Sequence, residues 1–360
     1  MKKLNIALLA GDGIGPEIME QAVKVVDAVA AKHNIEIEYK EALVGAIAID
    51  ETGNPYPEET HEACMAADAV LFGAIGHPRF DNDPSAKVRP EQGLLAMRKR
   101  LGLYANVRPV SCYSSLIERS PLKSERIEGA DFVVVRELTG GIYFGQPRGR
   151  SEDGNKAFDT CVYERFEIER IVRYAFETAQ QRDKKLCMVD KANVLATSRL
   201  WREVSDQIAT EYPDVEYSKM FVDNAAMQLI VNPKQFDVIV TGNMFGDILT
   251  DEASVLGGSL GLLPSSSIGK HTGIFEPIHG SYPQAAGKNI ANPMGMILSA
   301  AMLFDHLQMT DLGQEIRMAV EECINKGIVT EDLAKPGEKA HTTSEVGDAI
   351  TSLVKDTVLS

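Results

Sequence analysis

Seven charged residues stand where they could act on one small acidic substrate. In "TGNMFGDILTDEASVLGG" (241–258), Asp247 and Asp251 are four apart, so they share one face of the helix this stretch predicts. Taken alone, such acids only complement a helix dipole. "FVDNAAMQLI" offers Asp223 at a second strand-to-helix junction. Carboxylates at the carboxyl ends of neighbouring strands can converge, and Mg²⁺ or Mn²⁺ prefers oxygen ligands. "MVDKANV" sets Lys191 just after another apolar run. Most lysines are solvated, but an amine facing a divalent cation or arginines can serve as a base. Arg98 and Arg108 in "EQGLLAMRKRLGLYANVRP" and Arg136 in "VVVRELTGGIY" could salt-bridge on the surface. Convergent, they would instead grip a small dicarboxylate through the guanidinium fork. Leu94 and Leu95 would face an apolar substituent of that ligand or pack in the core.

A glycine-rich turn, Gly11-Asp12-Gly13-Ile14-Gly15, follows an apolar strand and opens a helix, as a dinucleotide cradle should. Its spacing is G-x-G-x-G, with Pro16 where the last glycine of the fingerprint belongs. Asp27 lies within the following helical pattern and does not serve as the acid that holds a ribose. On spacing alone this is a tight turn into a helix with an early proline.

The surrounding elements alternate. Ile18, Ala22, Val25, Val26 and Val29 fall on one helical face. "ADAVLFGAIG" (67–76), "DFVVVR" (131–136), "KLCMVD" (185–190) and "FDVIVTG" (236–242) are apolar runs that suit strands covered on both faces. Amphipathic helices are predicted at "EIERIVRYAFETAQQRD" and "ATSRLWREVSDQIATEY". "RELTGGIYFGQPRGRSEDGNKAFDTCVYERF", rich in turn residues, reads as an excursion in β hairpins. The chain is therefore α/β. With 52 acidic against 37 basic residues its net charge is -15, which argues against nucleic acid or an anionic membrane as partner. No apolar run approaches the roughly 20 residues that span a bilayer. The short apolar stretch after Lys3 runs into the glycine turn and reads as a strand, not a leader. Five scattered cysteines without C-x-x-C pairs indicate neither zinc nor a disulfide framework, which suits a reducing cytoplasm.

"GDGIGPE", "EQGLLAMRKRLGLYANVRP", "RELTGGIYFG", "DKANVL", "GNMFGDILTDEASVLGGSLGLLPS" and "EPIHGSYPQAAGKNIANP", in this order, resemble the β-decarboxylating dehydrogenase family over nearly the whole chain. The resemblance implies an open α/β sheet without the Rossmann fingerprint and a two-domain plan. Residues 1–103 with 258–360 would form the large cofactor domain. Residues 104–257 would form a smaller inserted α/β domain with a β-hairpin arm and the dimer interface. It implies a homodimer whose active site lies between the domains, with Lys191 and Asp223 reaching in from the partner subunit. NAD would lie along Glu276, His279, Gly280 and Ser281, with Asn292 near the adenine. NAD-using members usually carry an aspartate where this chain has Gln284, and an alanine where it has Tyr282. Glutamine can bond a ribose hydroxyl but does not repel a 2'-phosphate. NAD is still expected, because no lysine or arginine replaces that acid.

By the same resemblance Mg²⁺ or Mn²⁺ is held by Asp223, Asp247 and Asp251. Lys191 removes the substrate hydroxyl proton and Tyr143 helps protonate carbon after CO₂ leaves. Arg98, Arg108 and Arg136 hold the carboxylates of a malate-type dicarboxylate. Leu94 and Leu95 match the family's apolar wall for an isopropyl group, which implies oxidative decarboxylation of isopropylmalate in leucine biosynthesis. Isocitrate would press a carboxylate on that wall, whereas D-malate or tartrate would leave it unfilled. A regulatory subunit that binds without catalysis is disfavoured, since Tyr143, Lys191 and the three aspartates are all present.

Overall fold

In a computed structural model, residues 2–81, 86–335 and 337–356 are described. The chain divides into two compact units, residues 1–103 with 259–360 and residues 104–258. The first unit opens with strands β1 (Lys2–Gly11), β2 (Ile35–Glu41) and β3 (Ala69–Ala74). The second contains β4 (Ala105–Ser111), β5 (Asp131–Glu137), β6 (Gly149–Arg150), β7 (Ala157–Phe158), β8 (Lys185–Asp190), β9 (Glu216–Phe221) and β10 (Val238–Thr241). The chain then returns to the first unit with β11 (Pro264–Ile268) and β12 (Gly273–Pro277).

In the first unit the strands lie in the order β2-β1-β3-β12-β11. The pairs are parallel except β11 with β12. Side chains alternate across a strand, so both faces need cover. Ala7, Leu9, Val70, Phe72 and Ile274 pack with Cys64, Met97, Leu101 and Leu103 on one face. Ile6, Leu71 and Phe275 point the other way and are buried. There lie the helices Gly15–Lys32 and Met294–His306. The apolar stripe expected of the first of these, from Ile18 to Val29, is buried. The second is apolar nearly all round and correspondingly buried. The short apolar stretch near the amino end is strand β1, as its run into the glycine turn suggests.

The second unit has the order β4-β5-β10-β8-β9, parallel except that β4 pairs antiparallel with β5. Phe132, Val134, Ile239, Cys187 and Val189 pack against Ala225 and Leu229 of the helix Val222–Val231 and Leu249 and Ala253 of the helix Asn243–Ser254. The helices Arg165–Gln180 and Ala196–Ala209 bury Ile168, Val172, Phe176, Trp201 and Val204. The predicted hairpin excursion is the short antiparallel pair β6 and β7. Because β5, β8, β9 and β10 run in parallel, their carboxyl ends share one edge of the sheet. In open α/β sheets that edge is where ligands bind. Arg136, Lys191 and Asp223, and the start of the helix bearing Asp247 and Asp251, all sit there.

Candidate active site

Within the second unit the predicted residues fall into two groups. Arg136 and Arg108 form the first, both buried. The Arg136 Nε and Nη2 donate to Asn243 Oδ1 at 3.1 and 2.9 Å, and its Nη1 donates to Asp247 Oδ1. A Cβ on Gly246 would lie 2.6 Å from the Arg136 Cγ. The glycine in "MFGD" is therefore what lets the arginine stem lie against the helix. The Arg108 Nε donates to Asn106 Oδ1 at 2.8 Å and its Nη1 to Thr250 Oγ1 at 2.8 Å. The same Nη1 lies 3.5 Å from Asp251 Oδ1. Tyr143 donates its hydroxyl to the other oxygen of Asp247 at 2.9 Å. Burial and that hydrogen bond to Asp247 raise the Tyr143 phenol above its ordinary value, against the opposing charge of Arg136. Tyr143 thus stays protonated through neutral pH, as a proton donor must.

The second group is Lys191 and Asp223, paired at 2.8 Å. The hydrogen bond from Lys191 holds the Asp223 carboxyl below the usual carboxylate range. Within one chain Asp223 does not join Asp247 and Asp251. Among the described residues no three His, Cys, Asp or Glu side chains of the chain gather as a metal-binding set. Asp247 and Asp251 do project from one helix as a pair of oxygen donors, each partly open to solvent. A hard divalent cation fits that pair, with further oxygens drawn from outside the chain.

In the first unit Arg98 bonds Glu276 at 3.1 Å, and the Arg98 Nε is shielded without a hydrogen-bond partner. His279 sits just beyond β12. Its Nδ1 faces the Gly280 carbonyl at 3.0 Å, and its Nε2 is buried without a partner. Burial lowers its basicity, so the ring is neutral and can offer that nitrogen to a ligand. The opening turn braces this loop. The Ile14 N–H donates to the Ser281 carbonyl at 2.9 Å. Gly13, at φ +58°, lies so close that a Cβ would fall 2.0 Å from the Ser281 oxygen. Asn292 is committed at both ends, donating to Asp332 at 3.0 Å and accepting the Met294 N–H at 3.0 Å. Gln284 is exposed. Leu94 and Leu95 separate: Leu94 packs against the core, and Leu95 is 49% exposed.

Several contributing residues went unread in the sequence. Asp12 accepts the N–H groups of Ala46, Ile47 and Gly76 and thereby ties its own turn to the start of the helix Ala46–Thr52 and to the segment after β3. Its position inside the glycine turn is the signal that could have marked it. Asn106, Asn243 and Thr250 lie inside motifs noted for their charged members, and neutral side chains gave no separate cue.

The model of the isocitrate/isopropylmalate dehydrogenase family matches residues 5–350. The 3-isopropylmalate dehydrogenase of Bacteroides fragilis is 55% identical over 351 residues, covering 98% of this chain and 99% of the relative. That of Wolinella succinogenes is 54% identical over 352 residues, covering 97% and 98%. A crystal structure of isocitrate dehydrogenase from Methylococcus capsulatus is similar with a TM-score of 0.86 and 36% identity, covering 99% of this chain and all of that one. One fold thus serves relatives named for different acids, and substrate choice has to be argued from side chains. The chain belongs to the isocitrate/isopropylmalate dehydrogenase family, whose members are dehydrogenases.

Proposed function

We propose that the chain converts (2R,3S)-3-isopropylmalate and NAD to 4-methyl-2-oxopentanoate, CO₂ and NADH, with Mg²⁺ or Mn²⁺, as a homodimer in the cytoplasm serving leucine biosynthesis. The observation that carries the reading is the grouping of two buried arginines, two open aspartates and a protonated tyrosine at one sheet edge. Arg108 and Arg136, with Arg98, bind the two carboxylates. Lys191 takes the hydroxyl proton, and Tyr143 returns a proton to the carbon that CO₂ leaves. When bound to Asp247 and Asp251, with Asp223 from the second subunit, a divalent cation supplies Lewis-acid stabilisation of charge on substrate oxygen. Glu276, His279, Gly280 and Ser281, with Gln284 and Asn292 nearby, would hold NAD, which would supply a hydride acceptor there. The unpartnered His279 Nε2 is the feature that favours a polar ligand at that loop.

Two observations support a homodimer with shared sites. Asp223 pairs with Lys191, and among the described residues it does not gather with Asp247 and Asp251 as a metal-binding set. The helices Val222–Val231 and Asn243–Ser254 also leave Met227, Ile230 and Ile248 exposed. Apolar faces of this kind are usual at obligate interfaces.

Leu95 supplies the wall for the isopropyl group, whose burial contributes roughly 1.5–3 kcal/mol. Leu95→Ala should therefore raise KM for isopropylmalate about tenfold and leave D-malate, which has no such group, nearly unchanged. Steady-state kinetics with both acids test this. An unchanged isopropylmalate KM contradicts the wall, and a wild-type preference for D-malate or isocitrate contradicts the substrate.

A further inference from the structure

The helix that carries Asp247 and Asp251 begins on a glycine. Gly242 is its N-cap and has no side chain to serve the first turn. Ser, Thr, Asp or Asn usually does so, by accepting one of the N–H groups that lack a partner within the helix. Here the acceptor comes from elsewhere in the chain: the Asn243 N–H donates to the Tyr163 hydroxyl at 2.8 Å. A Cβ at residue 242 would lie 3.0 Å from that same oxygen, closer than side chains normally approach. The capless glycine and the tyrosine therefore go together.

Tyr163 also meets the loop that leads to Tyr143. A Cβ on Gly140 would lie 2.7 Å from the Tyr163 ring, and one on Gly141 would lie 2.5 Å from its hydroxyl oxygen. Bare backbone thus rests directly on the tyrosine. The Gly141 N–H donates to the Val162 carbonyl at 2.8 Å, which ties the loop to the residue before Tyr163. Buried Glu137 fastens the start of the loop by accepting the Thr139 and Gly140 N–H groups, each at 2.8 Å. Trp201 meets the Tyr163 ring edge to face, with centroids 5.4 Å apart. Burial, and next the charge of Glu137, raises the Tyr163 phenol well above its ordinary value, so it stays neutral.

One side chain therefore spaces two segments whose functional ends meet. Tyr143, beyond the glycines, donates its hydroxyl to Asp247 at 2.9 Å. Asp247 lies four residues, about one helical turn, after Asn243. We propose that Tyr163 is a positioning residue for the proton donor Tyr143, a proposal that rests on the function argued above. It caps the helix of Asp247 and supports the loop of Tyr143, so that phenol and carboxylate meet. Proton transfer depends steeply on the placement of the donor, so loosening Tyr163 acts on turnover more than on substrate binding.

The test compares Tyr163→Phe, which removes only the hydroxyl, with wild type, with Tyr143→Phe and with the double variant. Steady-state kinetics with isopropylmalate, NAD and Mn²⁺ give kcat and KM, and thermal melting reports the fold. Tyr163→Phe should lower kcat about tenfold, the scale of one buried N–H left without its acceptor. In the Tyr143→Phe background the same change should have no further effect on kcat, because the group it positions is gone. A tyrosine that only holds the fold would lower the melting temperature and act alike in both backgrounds. A Tyr163→Phe kcat within about threefold of wild type, or the same fall repeated in the Tyr143→Phe background, overturns the proposal. If Tyr163→Phe does not fold, Gly242→Ala, whose methyl crowds the same hydroxyl oxygen, takes its place in the comparison. If Tyr143→Phe alone keeps wild-type kcat, the role given to Tyr143 fails first, and this inference with it.

Discussion

Asp247→Asn is expected to lower kcat/KM for isopropylmalate by about three orders of magnitude, roughly 4 kcal/mol at the transition state. The size follows from the number of tasks at one carboxylate. One oxygen takes the Arg136 guanidinium and the other takes the Tyr143 hydroxyl at 2.9 Å. The same side chain is assigned to the cation. Asparagine keeps the shape and removes the charge, so cation affinity falls and Tyr143 loses part of what raises its phenol. Arg136 is buried and keeps its neutral partner Asn243, so the fold should survive with only a modest loss of stability. Asp251→Asn should weaken the cation similarly but disturb the arginines less, since its contact to Arg108 is long at 3.5 Å. Mn²⁺ titration calorimetry alongside kinetics separates these effects. An Asp247→Asn enzyme within tenfold of wild type at saturating Mn²⁺ would contradict the assignment.

Lys191→Ala should cost about two to four orders of magnitude in kcat, the usual contribution of general acid–base catalysis. Its more informative use is in mixed dimers. Tyr143 bonds Asp247, whereas Lys191 bonds Asp223, so the chain itself separates the two proton-handling residues. If Lys191 acts in the site of the other subunit, a dimer of one Lys191→Ala chain and one Tyr143→Phe chain holds one intact site and one doubly defective site. Random reassociation should then restore about a quarter of wild-type activity, because half of the dimers are mixed and each carries one good site. With unshared sites every site carries a defect and nothing is recovered. Activity of the mixed sample no higher than the mean of the two variants contradicts sharing.

The sequence was most legible where period and composition agreed. The run "KLCMVD" is strand β8 residue for residue, and the stripe from Ile18 to Val29 is the buried face of its helix. Asp247 and Asp251 were legible because a spacing of four places them together whatever surrounds the helix. Strand β11 was not legible. Its centre, Ser265 to Ser267, is buried but polar, so it lacks the apolar run that marks an interior strand. Leu94 and Leu95 were ambiguous for a geometric reason. Neighbours on a helix point about 100° apart, so they cannot serve one wall equally, and only packing decides which turns inward. The glycine turn lacks the spacing of the Rossmann fingerprint. Its actual task, bracing the Ser281 carbonyl through Gly13 and Ile14, depends on a contact some 270 residues along the chain that no local pattern encodes. The antiparallel strand β4 and the neutral partners Asn106 and Asn243 were hidden likewise, since each is defined by what lies beside it in space.

The most direct test is reduction of NAD and NADP, in parallel, by the purified chain with Mn²⁺ and 3-isopropylmalate, with isocitrate and D-malate alongside. Rapid NADH formation is expected with isopropylmalate, little with isocitrate, weak turnover of D-malate, and a preference for NAD despite Gln284. Turnover of isocitrate equal to that of isopropylmalate, or no metal-dependent turnover of isopropylmalate at all, would contradict it.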